Sequence, residues 1–372
     1  MSCPTIKTDH DIVEEIVRGI HKIENQLERD VTNLCTILLA AEDEFRYSME
    51  SQTPNKNALD NLRQQLFDNY CAIYWSLKLH LVFHMGVDQA LQHEKLKKFH
   101  DLLNYPEELW KWELLPGLEH AVDPGSKVLE ILSIIVAQKG STEPAAERGS
   151  EKHADDVLVR AKAFFSRLWK KNIFRPKVLA KVSRNGRRFV GSSMAVSPFL
   201  RPFCLYNRVI KFNYRLMEAV VFDKHLELPG DQVRGWSSSA FSMQTGYDKE
   251  KPPCKKCQTL FQKLEGFIQR KGGEEKDGDT FLGACAEYCP VDEILIKSEP
   301  EQTIASTLSD EMKIRLRRHR NKCSILHKEY LDIAGECFDA YDSKDASKLE
   351  AVSKKVKHKM HIFGFKPTLT LQ

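Results

Sequence analysis

Lys177-Val178-Leu179-Ala180-Lys181-Val182 and Arg188-Phe189-Val190-Gly191 are two β-prone runs on either side of Asn185-Gly186. An Asn-Gly pair between such runs predicts a β-hairpin. The reading decides the fold class, because the chain before it reads as helix. Val13, Ile16, Ile20, Ile23, Leu27, Val31, Leu34, Leu38, Ala41, Phe45 and Met49 recur at steps of three and four, the period of one apolar helix face. A helix of roughly 40 residues, about 60 Å long, is expected there, ended by the Pro54-containing break at Ser51–Asn57. A second stripe, Leu59, Leu62, Leu66, Tyr70, Ile73, Leu77 and Leu81, can pack on the first as a helical hairpin. Shorter helices are expected over 106–115 and 126–138.

Lys139–Lys152 holds Gly140-Ser141-Thr142-Glu143-Pro144 and Glu147-Arg148-Gly149-Ser150-Glu151, small and charged residues with little to bury. The expected organisation is therefore an α+β protein. Residues 1–138 form an all-helical bundle, 139–152 a linker, and 153–372 a mixed α/β domain that carries a cysteine cluster. Within that domain a helix is expected over 155–171 and strands over 209–214 and 240–243. A third helical stripe runs through Met312, Leu316, Cys323, Leu326, Tyr330, Ile333, Cys337 and Tyr341.

The 372 residues are 29% charged and 42% apolar, ordinary for a soluble globular protein. A formal charge of +4 is too small to imply nucleic-acid binding by itself. The longest apolar stretch, Cys71–Val87, carries Lys78, His80 and His84 and is too short and too charged to span a bilayer. Met1–Glu15 is polar and acidic, unlike a secretory signal, so an intracellular protein, cytoplasmic or nuclear, is expected. The ten cysteines are then expected to be reduced. Cys35, Cys71, Cys323 and Cys337 fall at helical apolar positions and read as small core residues. Cys3 and Cys204 have no informative context.

Cys254, Cys257, Cys285 and Cys289 are clustered in pairs, as Pro253-Cys254-Lys255-Lys256-Cys257 and Cys285-Ala286-Glu287-Tyr288-Cys289. Cys-x-x-Cys lets two thiolates converge on one ion, and the second pair can supply one or two more ligands, so a zinc site of three or four cysteines is expected. The alternative is a set of unrelated reduced thiols. Pro253 suits a first helical turn. An amphipathic helix through Leu260, Leu264 and Ile268 would put Cys254 and Cys257 at its start. After the second pair, a helix is expected to begin at Pro290. If Cys289 binds, the site is closed and structural. If it does not, the open position can hold water, and Glu287 stands two residues from a ligand.

These two motifs resemble the Pro-Cys-x-x-Cys and Cys-x-Glu motifs of the zinc-dependent cytidine-deaminase-like superfamily, in the opposite order along the chain. The resemblance covers two short motifs. It implies a permuted topology, or the same motifs assembled in a different fold. It also implies that Cys254, Cys257 and Cys285 hold zinc, that Glu287 is the catalytic acid/base, and that the substrate is a nucleobase in a nucleotide or nucleic acid, unless the domain is inactive. The rival expectation is a non-enzymatic scaffold with a structural zinc and partner-binding N-terminal helices. Arg315, Arg317, Arg318 and Arg320, with Lys313 and Lys322, can make a basic surface for nucleic acid, as can Arg184, Arg187 and Arg188 around the hairpin turn. No membrane partner is expected. His80 and His84, four residues apart, are a metal pair only if no packing role claims them.

Overall fold

The computed structural model describes residues 9–50, 56–85, 90, 92–102, 118–139, 148–197, 200–267, 283–298, 309–343 and 345–359. The protein is mixed α+β and mostly helical. Its helices are α1 (Asp9–Glu50), α2 (Lys56–Met85), α3 (Glu94–Leu102), α4 (Pro124–Lys139), α5 (Glu151–Arg167), α6 (Arg201–Val209), α7 (Tyr214–Phe222), α8 (Lys255–Leu260), α9 (Tyr288–Ser298), α10 (Asp310–Ser343) and α11 (Ala346–Lys359). The strands are β1 (Val178–Arg184), β2 (Arg187–Ser192), β3 (Trp236–Ser242) and β4 (Glu250–Lys251), in one antiparallel sheet of order β2-β1-β3-β4. The expected 106–115 helix lies outside the described residues, as do residues 140–147 of the expected linker.

The hairpin forms as its sequence dictates. Arg184 pairs with Arg187 across Asn185 and Gly186, whose φ values of 49° and 77° are the left-handed pair a type I′ turn requires. Parity along the strands then sends side chains to two different cores. Leu179 and Val190 pack with α2, α4 and α5, beside Ile73, Leu77, Leu132, Phe164 and Phe165. Val182 and Phe189 pack into the second cluster, with Leu216, Tyr288, Val291 and Leu295. The sheet is thus a layer between α4/α5 and α9. Each cluster draws residues from both sides of 139–152.

Two expected elements differ. Residues 209–214 are not a strand: α6 ends at Val209 and α7 begins at Tyr214. Asn213 stops the alternation by capping α7, its side chain accepting from the Arg215 N–H. The helix after Cys254 ends at Leu260 and gives way to a turn and a single 3₁₀ turn at Glu265–Phe267. There Gly266 passes so close to the Trp236–Ser237 backbone that a Cβ would collide with it.

Gly191 makes the same kind of close approach. A Cβ there would run into the Ala286 carbonyl oxygen and the Pro290 ring, so α9 can lie on β2 only because the residue is glycine. Gly191→Ala should cost about 1–3 kcal/mol of stability, measured by urea unfolding; an unchanged midpoint would show that α9 shifts freely.

Asp292 on α9 accepts the Asn213 N–H at 2.5 Å, and burial, with Glu293 nearby, raises its pKa from 3.8 to about 8. The folded state therefore binds a proton that the unfolded state releases, and stability falls as pH rises from about 4 to about 8. Asp292→Asn keeps an acceptor and removes the charge. It should flatten this dependence and be more stable than the parent at about pH 8; equal pH slopes for the two proteins would refute it.

Candidate metal centre

Three of the four clustered cysteines meet. Cys254 caps α8 and is half-buried, while Cys257 in the first turn is fully buried. Cys285 arrives on the segment Gly283–Glu287, which ends where α9 starts. Its backbone is held by the Met194 N–H donating to the Ala284 carbonyl (2.8 Å) and by the Val291 N–H donating to the Glu287 carbonyl (3.1 Å). Cys254 Sγ lies 3.5 Å from Cys285 Sγ, and the three sulfurs all lie within 4.8 Å of one another. A tetrahedron with metal–sulfur bonds of about 2.3 Å has edges of about 3.8 Å, so these thiols are close enough to bind a metal ion. All three are free thiols.

Glu287 is 2% exposed. Its Oε2 accepts from the Cys257 thiol at 3.4 Å, but its carboxylate is not among the three mutually close donors. Burial first, then the neighbouring Cys254 charge, raises its pKa from 4.5 to about 7. Hydrogen bonds from Cys257 and Cys285 hold Cys254 well below an ordinary thiol, and burial pushes Cys257 well above one. Buried thiolates beside a carboxylate are costly unless a cation joins them, and this donor set fits one. The Tyr288 ring, fully buried against Phe212 and Phe261, closes one side.

Cys289 stands apart from this group. It lines a cavity of about 90 Å³ with Ser126, His153, Arg188, Gly191 and Glu293. α9 begins at Tyr288, two residues before the expected Pro290, which tolerates a first turn because N–H groups there need no helical partner. Cys289 is not among the three mutually close sulfurs.

The other expected sites resolve differently. His80 is a core residue, its ring held by the Ser76 carbonyl and the Ser197 N–H; the side chain of His84 lies outside the described residues. Arg184 is buried under Trp236, with its guanidinium 5.5 Å from the ring, and Arg188 pairs with Glu151 at 2.6 Å. Arg187 of the same turn is exposed. Arg317 and Arg318 are exposed on α10, Arg315 pairs with Glu311 and lies over Phe222, and the Arg320 side chain lies outside the described residues. No helix is long and apolar enough to cross a membrane among the described residues.

Arg208 bonds the Gly283 carbonyl and pairs with Asp123, and Gly191 lies against the Ala286 carbonyl, all on the segment side of Cys285; the sequence reading singles out none of the three. Asp123 before Pro124 carries a helix-cap signal, and Gly191 within a strand one of close backbone approach. Arg208 carries none.

Purified protein should contain about one metal ion per chain by elemental analysis. Cys254→Ser, Cys257→Ser and Cys285→Ser should each lower that content, and Cys289→Ser should leave it. Equal loss with Cys289→Ser would place a fourth sulfur on the ion.

Comparison with family models, curated proteins and solved structures finds no match to this chain.

Proposed function

We propose that the centre binds zinc and that the protein is a zinc-dependent hydrolytic deaminase acting on a nucleobase. The observation that carries the reading is the buried Glu287 carboxylate beside three converging sulfurs, with Cys289 elsewhere. An ion held by three thiolates keeps an open position and lowers the pKa of a water there toward neutrality. Cys254, Cys257 and Cys285 would hold it. Glu287, anchored at the start of α9, takes a proton at its carboxylate and delivers it to the amine nitrogen that leaves. Phe261, Phe267 and Tyr288 form an apolar wall that excludes bulk water. The donor set also suits the resemblance to the cytidine-deaminase-like superfamily, since Cys285 and Glu287 precede one helix and Cys254 caps another.

The exposed Arg317 and Arg318 supply cationic groups suited to phosphates, so nucleotides and single-stranded oligonucleotides are the substrates to try. In the rival reading, an interaction scaffold, the ion is structural and Glu287 is idle.

Ammonia release from cytosine- and adenine-containing nucleosides, nucleotides and oligonucleotides tests the proposal. The parent protein should be active. Glu287→Gln should keep zinc and fold but lose about 10²–10⁴-fold in turnover. Absence of release from every substrate with a zinc-loaded parent, or full activity in Glu287→Gln, would overturn the reading.

A further inference from the structure

Close to the centre lies a buried ion pair that has no part in the chemistry above. Arg208 on α6 and Asp123 have side chains only 8% and 2% exposed, 2.7 Å apart. A pair this buried is costly to maintain and is strongly destabilising when one partner is lost. Its hydrogen bonds show what it holds. Arg208 Nη2 donates to Asp123 Oδ2 and to Ser126 Oγ, and Nη1 donates to the Gly283 carbonyl at 3.4 Å. Asp123 Oδ2 also accepts from Ser126 Oγ at 2.7 Å, and Oδ1 accepts from the Gly125 and Ala195 N–H groups, each at 3.2 Å.

Each end of the pair bears on the segment that carries Cys285. Gly283 is two residues before it and has a positive φ of 85°. Ala195 follows Met194, whose N–H holds the Ala284 carbonyl. The pair therefore grips Gly283–Ala284 from both sides, through Arg208 directly and through Asp123 by way of 194–195. Ala286 is meanwhile pressed on Gly191. Cys254 and Cys257 come from α8, to which none of these hydrogen bonds runs; the network acts on the Cys285 side, and apolar packing joins that side to α8.

We infer that the Asp123–Arg208 pair is the positioning device of the metal centre, holding Cys285 and Glu287 in register with Cys254 and Cys257. The inference rests on the metal-site reading. Neither residue is among the converging donors. Outer residues that orient ligands in this way typically cost 10–100-fold in metal affinity when replaced.

Cobalt(II) titration of the metal-free protein tests it, because thiolate-to-cobalt absorption counts coordinating sulfurs and a general loss of stability does not change that count in folded protein. The parent should show three thiolates. Arg208→Met should bind cobalt about 10–100-fold more weakly and, at saturating cobalt, show fewer thiolates, with far-UV circular dichroism unchanged. Asp123→Asn keeps the side-chain size and should do the same, and it decides the matter alone if Arg208→Met fails to fold. Parent-like affinity and spectrum in the folded variants would overturn the positioning role while leaving the centre intact. A parent protein without thiolate absorption would remove the centre itself, and this inference with it.

Discussion

The close approach of Gly191 to the Ala286 carbonyl is the constraint on which the arrangement turns. The sheet has helices on both faces, and α9 must come within backbone distance of β2 for the second core to close. Only a residue without Cβ permits that approach. The same approach brings the segment Cys285-Ala286-Glu287-Tyr288-Cys289 against β2 at the start of α9. Cys285 and Glu287 turn to one side and Cys289 to the other. Of these five consecutive residues, two place reactive groups beside the α8 thiols and the third reactive side chain lies by the cavity.

Two buried carboxyl groups lie close to this junction. Asp292 is buried on α9 with a backbone N–H as its partner, and Glu287 is buried beside a thiol. Away from the junction, Asp30 on α1 accepts from the Ile173 N–H, which ties the long first helix to the loop after α5; burial raises its pKa from 3.8 to about 6. Groups of this kind weaken a fold unless every partner is in place. Asp292 and Glu287 thus specify the geometry at the start of α9 beyond what apolar packing requires.

Much of the secondary structure is legible in the sequence, and the reasons are local. The α1 and α2 stripes are long enough for the 3.6-residue period to be unambiguous, and Asn185-Gly186 has few conformations compatible with its neighbours. Residues 209–214 mislead because Val209, Phe212 and Tyr214 fall where one helix ends and another starts, with the Asn213 cap between them. The cysteine spacing points to a metal centre but does not separate three sulfurs from four. That distinction lies in the tertiary placement of Cys289, which lines a cavity and is not among the mutually close sulfurs. The ion pair that steadies the centre joins residues too far apart in sequence to suggest each other.

Helix α1, with 42 residues, contributes Val13 and Val17 to one apolar cluster and Leu27 through Ala41 to the other. A single continuous rod thus serves as a wall of both cores. If either core loosens, the rod is left half-supported, and a helix of this length is stable mainly through the packing of its apolar face. Loss of packing in one core therefore removes part of the support of a helix that the other core also uses.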